Sequence, residues 1–424
     1  MSRQTRPKHR TEKIARGRES LEGRRHILTS PLPSTSDVVP SDHTTATQRR
    51  LGRRALAGAL IVAAAVWVFA FRAADRMPDF EVYWTAGWRA ARAEPLYRAA
   101  DGVYRLLYLP AFAVMAIPIG ALPLPTAKIV WFALSLAGLG ALLRLSVQAL
   151  PERRRPIWWL VLVAIVGLGK YYAEELVLGQ VNLMLTLVAT GAIVALGARR
   201  EALAGSLLAL AVVVKPYGLI FLPWLAARRQ VASTMAAAIG LVGAFALVSA
   251  IYGVHGAIDL HRDWWRAVTD RTAATLAHSD NVSVASMYTK WFGMRALAEW
   301  LTAATSAVLL LSAALVFHAR RGVARPEGLE AALLLMLTPL LSPQGWDFVL
   351  IVCTPAVIYL ANYHDRLPRP LRVLSAAAVA VIGLTLFDLL GRRLLYALLN
   401  MSIITLAVFI LIGSLCALRL RKVA

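Results

Sequence analysis

The sequence predicts an all-α protein that crosses a membrane many times, and three observations carry that reading. Hydrophobic residues make up 58% of the 424 residues, and the mean hydropathy is +0.60. They gather in runs, among them Ala55 to Phe71, Val231 to Ile251, Leu301 to Phe317 and Leu394 to Leu418, which approach or exceed the roughly 17 to 25 residues that a helix needs to cross the hydrocarbon. Alternation of apolar and polar residues does not recur, which argues against a barrel of strands.

The charge distribution fits the same picture. A formal net charge of +22 would suit a nucleic-acid partner, but the basic residues sit in a polar N-terminal tail and in short loops between apolar runs, as membrane topology requires. No nucleic-acid partner is expected. Residues 1–54 are rich in Arg, Lys, Ser, Thr and Pro; they read as a disordered basic tail in the cytoplasm near anionic lipid, ahead of one membrane domain over 55–424. The length of that tail, and the lack of a small-residue cleavage site before Asp79, argue against a cleaved signal peptide. Cys353 and Cys416 both fall inside apolar runs and read as packing residues.

The first span follows Arg49, Arg50, Arg53 and Arg54, which should stay inside, so Asp79 emerges outside in a first outer loop over 74–126. Tyr108 to Leu122 is short, is broken by Pro110 and Pro118, and is ended by Pro123; it is expected to be a re-entrant or juxtamembrane element. That choice returns Arg153 to Arg155, and then Arg199 and Arg200, to the cytoplasm. Ala202 to Ala227 is interrupted by Lys215 and Pro216, so it is expected as two short helices meeting near the outer face; a single span would hold Lys215 at mid-bilayer. A long outer loop follows over 252–298. The clusters Arg228 with Arg229, His318 to Arg325, Asp365 to Arg369 and Arg419 to Lys422 are each separated by two apolar runs and all fall inside. The count is about twelve spans with both termini cytoplasmic.

This threading collects the unusual polar residues on one face. They are Asp79 and Glu81, then Glu174, Glu175, Gln180 and Asn182, then Lys215, Asn281, Ser283, Ser342, Gln344, Trp346 and Asp347. Polar groups at membrane depth are costly and tend to serve a site. The chemistry they support is group transfer from a charged lipid: Asp79 as general base, Lys215 as a point charge on a phosphate, and Tyr83, Trp84 and Trp346 as flat faces for a sugar ring or headgroup. Each has a plainer reading. Asp79 also fits a helix N-cap, Glu81 would point away from it, and Glu174 and Glu175 read as a solvated loop pair. Lys215 also suits lipid phosphate by snorkelling, Gln180 and Asn182 suit interhelical pairing, and Trp264 and Trp265 suit interfacial anchoring. His255, His261 and His278 show no metal-ligand spacing, and no metal or cofactor is expected.

Taken in order, "DFEVYW", "EPLY" at 94–97, "YLP" at 108–110, "LGQVN" at 178–182, "AGSLLALAVVVKPYGLIFLP" at 204–223, "NVS" at 281–283 and "LSPQGW" at 341–346 form a series that resembles glycosyltransferase family 87. The resemblance runs from about residue 75 to about residue 360. It implies a GT-C fold with an extracytoplasmic active site, and high Ala and Arg usage points to a bacterial inner membrane as its setting. The reaction it implies is an inverting transfer from a polyprenyl-phosphate sugar, mannose first, to a lipid or glycan acceptor. An arabinofuranosyl donor is the alternative within that family, and a transporter or flippase of lipid-linked sugar is the alternative outside it. The resemblance assigns the base to Asp79. Relatives often carry histidine just after Ser-Pro-x-x-Trp, where this chain has Asp347 and Phe348, so no role is carried over there. Arg89, Arg92, Arg262 and Arg266 are the further cations considered for the phosphate.

Overall fold

The computed structural model describes residues 63, 64 and 66–422. The basic tail and most of the first apolar run, with the disorder and the first span expected of them, lie outside the described residues. Among the described residues every regular element is helical, and the strand-like pairing is confined to an isolated bridge between Asn281 and Trp346.

The chain leaves its first helical stretch through Met77, in the left-handed region at φ 53°, and enters α1 (Pro78–Ala90). Pro78 suits the first helical position, where no N–H is required, and Asp79 and Glu81 sit in the first turn, against the positive end of the helix dipole. Phe80, Tyr83, Ala86, Gly87 and Ala90 are buried, a spacing that turns one stripe of α1 onto the bundle. Asp79 is therefore not the N-cap; Met77 holds that position. Two short helices follow, α2 (Pro110–Met115) and α3 (Ile117–Gly120), both far too short to cross a bilayer. α1 lies so close to them that a Cβ on Gly87 would stand 2.2 Å from the Ala116 carbonyl oxygen.

The bundle proper contains α4 (Leu124–Gln148), α5 (Ile157–Leu178), α6 (Asn182–Gly197), α7 (Glu201–Val214), α8 (Phe221–Ala227), α9 (Val231–Thr275), α10 (Val284–Phe292) and α11 (Ala296–His318). It is completed by α12 (Glu327–Leu341), α13 (Thr354–Asn362), α14 (Arg369–Leu384), α15 (Phe387–Asn400) and α16 (Ile403–Leu420). α12 is buried on every side from Glu327 to Leu340, as an all-round apolar helix must be when others enclose it. The periphery is the reverse: Val231, Met235, Ile239 and Val242 of α9 and Val308, Leu311 and Leu315 of α11 are exposed, apolar surface that requires lipid.

Among the described residues four helices, α4, α9, α11 and α16, are long and apolar enough to cross a membrane, and the number rises to at most six if the bent pairs α5 with α6 (118°) and α14 with α15 (104°) are single spans. The expectation of about twelve crossings goes beyond what length and composition support here, because several apolar runs fold as short broken helices. The stretch 252–298, read as an outer loop, is mostly helical: α9 continues through a non-helical Gly253 at φ 73°, and α10 follows. Glu174 and Glu175, read as a loop pair, lie in the last turn of α5.

The basic turns meet at the ends of the helices that lead away from the cavity described below. Arg154 reaches Asp365 at 3.1 Å, and Glu330 accepts bonds from Trp224 and Arg228 at 2.8 Å each and lies 3.4 Å from Arg419. From Glu330 to Ser342 is twelve residues, roughly 18 Å along the helix axis. The ion cluster and the polar residues after α12 are thus at opposite ends.

Candidate active site

Local sequence decides how the site is assembled. α5 cannot continue past Leu178 because Gly179 takes the left-handed conformation at φ 71°, and it has room there only as glycine, since a Cβ would stand 2.6 Å from the Cβ of Phe80. That reversal carries Gln180 back against α1. Pro216 ends α7 and leaves Lys215 extended at the break. The Pro-Gln-Gly-Trp segment after α12 turns Ser342, Gln344 and Trp346 inward, and α9 offers Trp264, Val268 and Arg271, spaced i, i+4, i+7 on one face.

These pieces line a cavity of about 320 Å³ together with Asp79, Val82, Tyr83, Arg105 and Tyr108. Asp79 Oδ2 accepts a bond from Gln180 Nε2 at 2.6 Å. Gln180 Oε1 accepts from Tyr83 OH and Asn182 Nδ2, each at 3.4 Å, and Tyr83 OH meets Tyr108 OH at 2.8 Å. Asn182 continues the chain by accepting from Lys215 Nζ at 2.6 Å while donating to Glu175 at 3.1 Å. Glu175 also accepts from the Leu183 N–H at 2.6 Å, so a buried carboxylate is satisfied at the start of α6. The ring of Tyr217 lies 4.9 Å from the Lys215 ammonium, and its hydroxyl donates to the Gln344 carbonyl and accepts from Ser342.

A carboxylate and three cations, Lys215, Arg271 and Arg105, therefore face one space, Arg105 also standing 3.9 Å from Asp270. Burial raises the pKa of Asp79 above the ordinary carboxylate value, and the Gln180 bond and the charges of Lys215 and Arg271 act in the opposite direction. Such a site can hold a proton acceptor next to an anion. Among the described residues no group of three His, Cys, Asp or Glu side chains stands at metal-binding spacing.

Of the expected site residues, Asp79, Tyr83, Gln180, Lys215, Ser342, Gln344 and Trp346 line this cavity. Asn182 stands behind them, fully buried. The others go elsewhere. Glu81 points to a neighbouring cavity and pairs with Lys128 at 2.7 Å. Asn281 is buried and ties Thr275 O to Pro343 O through its amide, and Ser283 caps α10 by accepting from the Ser286 N–H; both are structural. Asp347 pairs with Lys170 at 2.8 Å. None of the four arginines considered for the phosphate faces the space: Arg262 and Arg266 pair with Asp259 and Asp263 on exposed turns of α9, Arg89 forks onto Asp101, and Arg92 covers Trp88. Arg271 and Arg105 line it instead. Sequence reasoning missed both; the helical face that Arg271 shares with Trp264 is the signal that could have found it, and nothing in the sequence marked Arg105.

The family model for glycosyltransferase family 87 matches residues 106–343. Asp79, Gln344, Trp346 and Asp347 lie outside the matched part. No curated protein and no solved structure matches the chain.

Proposed function

The chain belongs to glycosyltransferase family 87, and from that premise we propose that it transfers a hexosyl group, mannosyl first, from a polyprenyl-phosphate sugar to a lipid or glycan acceptor. The observation that carries this reading is the pairing of one carboxylate, Asp79, with Lys215, Arg271 and Arg105 around a single cavity. The reading extends to a GT-C fold and an inverting displacement. An acceptor hydroxyl oxygen attacks the anomeric carbon, its proton passes to Asp79, and the bond to the phosphate oxygen breaks with the electron pair leaving on the lipid phosphate. The cations offset the charge that develops on that phosphate, in a setting where water is limited and their interaction is correspondingly strong. Lys215 is suited to this because Asn182 takes one of its three N–H groups and leaves the others for a ligand.

The basic turns at the far ends of the helices support placing the cavity on the extracytoplasmic side of a bacterial inner membrane, with the termini in the cytoplasm. The donor would then lie with its chain in lipid and its phosphate at headgroup level. The test is transfer from polyprenyl-phosphate mannose to a membrane lipid extract by purified protein in nanodiscs, with polyprenyl-phosphate arabinofuranose run in parallel. Product from the first and none from the second supports the reading; product from the second alone replaces mannose by arabinofuranose; product from neither refutes the donor class.

A further inference from the structure

A second cavity, of about 690 Å³, lies against the opposite side of α1. Asp79 and Tyr83 face the first cavity, whereas Glu81, Thr85 and Arg89 face the second, and Val82 lines both. The segment after residue 102 divides the two in the same way. Val103, Arg105, Leu107 and Tyr108 line the first and Tyr104 and Leu106 the second; the backbone is helical through Tyr104 and extended at Arg105 (φ −63°, ψ 139°). The two cavities thus share Val82 and are divided by neighbouring residues of the same two segments.

The two chambers differ in chemistry. The first offers Lys215 and Arg271 against Asp79, with Arg105 standing 3.9 Å from Asp270. In the second, both Arg89 guanidinium nitrogens are taken by Asp101, at 2.6 and 2.8 Å, and Glu81 is held by Lys128. With those charges cancelled, Asp75, Arg76, Thr85 and Tyr104 are left, which suits a ligand that hydrogen-bonds through many hydroxyls and carries little net charge. A phosphate would find Arg89 and Lys128 already occupied there, which leaves Arg76, next in sequence to Asp75.

We propose that the second cavity is the acceptor subsite, that it takes a neutral polyhydroxylated headgroup, and that the acceptor hydroxyl reaches Asp79 across Val82. This rests on the donor reading of the first cavity and adds to it a separate address for the second substrate. In the transfer step the acceptor O–H then approaches the anomeric carbon from the α1 side, opposite the phosphate held by Lys215 and Arg271, as inversion requires.

The experiment uses the full-length protein in nanodiscs, with polyprenyl-phosphate mannose and a titrated membrane lipid extract as probes. Thr85→Trp, which fills the second cavity, is expected to raise the apparent KM for the extract at least about tenfold while the donor KM stays within about twofold. Should that variant unfold, Thr85→Val and Tyr104→Phe, which remove one hydroxyl each, are expected to raise the acceptor KM about threefold or more with the same donor KM. Unchanged acceptor KM, or a rise in donor KM alone, overturns the assignment. The donor reading fails separately, when the wild type transfers from neither polyprenyl-phosphate sugar, and the acceptor assignment then falls with it.

Discussion

Gln180 Nε2 donates to Asp79 Oδ2 at 2.6 Å across 101 positions of sequence. That bond joins the first turn of α1 to the turn after α5, and Asn182 extends it to Lys215. The proposed base and the proposed phosphate cation are thus held in one amide-linked row.

The bond has a consequence for pH. Burial raises the Asp79 pKa, and the Gln180 bond, which favours the ionised form, restrains the rise. A base works only when deprotonated, so activity is lost as pH falls through that raised value. Gln180→Leu removes the restraint; the acid limb of kcat/KM moves to higher pH and kcat falls by about ten- to a hundredfold. A rate loss with an unmoved acid limb would assign Gln180 to substrate binding alone.

Gly179 is the second test of the same geometry. Gly179→Ala places a side chain in left-handed backbone, at a cost of about 1–2 kcal/mol, and pushes on Phe80, whose Cβ stands 2.6 Å from the added atom. The variant is expected to lower the thermal midpoint and to reduce kcat about tenfold by displacing α1. A stability loss at full kcat would mean that α1 tolerates the shift.

The cations are predicted to separate by position. Lys215→Met and Arg271→Met each remove a charge from the cavity and should reduce kcat/KM by about a hundredfold, whereas Arg262→Met, on an exposed turn paired with Asp259, should stay within about twofold of wild type. Steady-state transfer rates across the three variants decide this. Equal losses would show that net surface charge, and not the cavity, sets the rate.

Much of this arrangement was legible in the sequence, for one physical reason. A polar residue beside long apolar runs is expensive, so Gln180, Lys215, Ser342, Gln344 and Trp346 stood out, and the structure gathers all of them around one cavity with Asp79. The same reasoning misjudged Asn281 and Ser283, because a buried amide or hydroxyl can be retained to satisfy backbone groups: Asn281 holds two carbonyls and Ser283 caps a helix. Glu175 looked like a loop residue because the apolar pattern lapses at "YYAEE", yet the helix runs on to Leu178 and the carboxylate serves the start of α6. Arg271 was hidden among the ion pairs of α9, and Arg105 depends on the path of an irregular segment. The span count was the least legible feature, since a hydropathy run does not always reveal whether it crosses or breaks: the break at Lys215 and Pro216 was expected, whereas the sharp bend between α5 and α6 at Gly179 was not.

The most direct measurement is sugar transfer from polyprenyl-phosphate mannose by wild type and by Asp79→Asn, both in nanodiscs and matched for thermal unfolding. The substitution nearly preserves shape and removes the proton acceptor. The account predicts that the folded variant loses transfer by at least about a thousandfold while its donor KM or binding changes little; transfer at the wild-type rate would contradict it and leave Asp79 as a first-turn residue of α1 and nothing more.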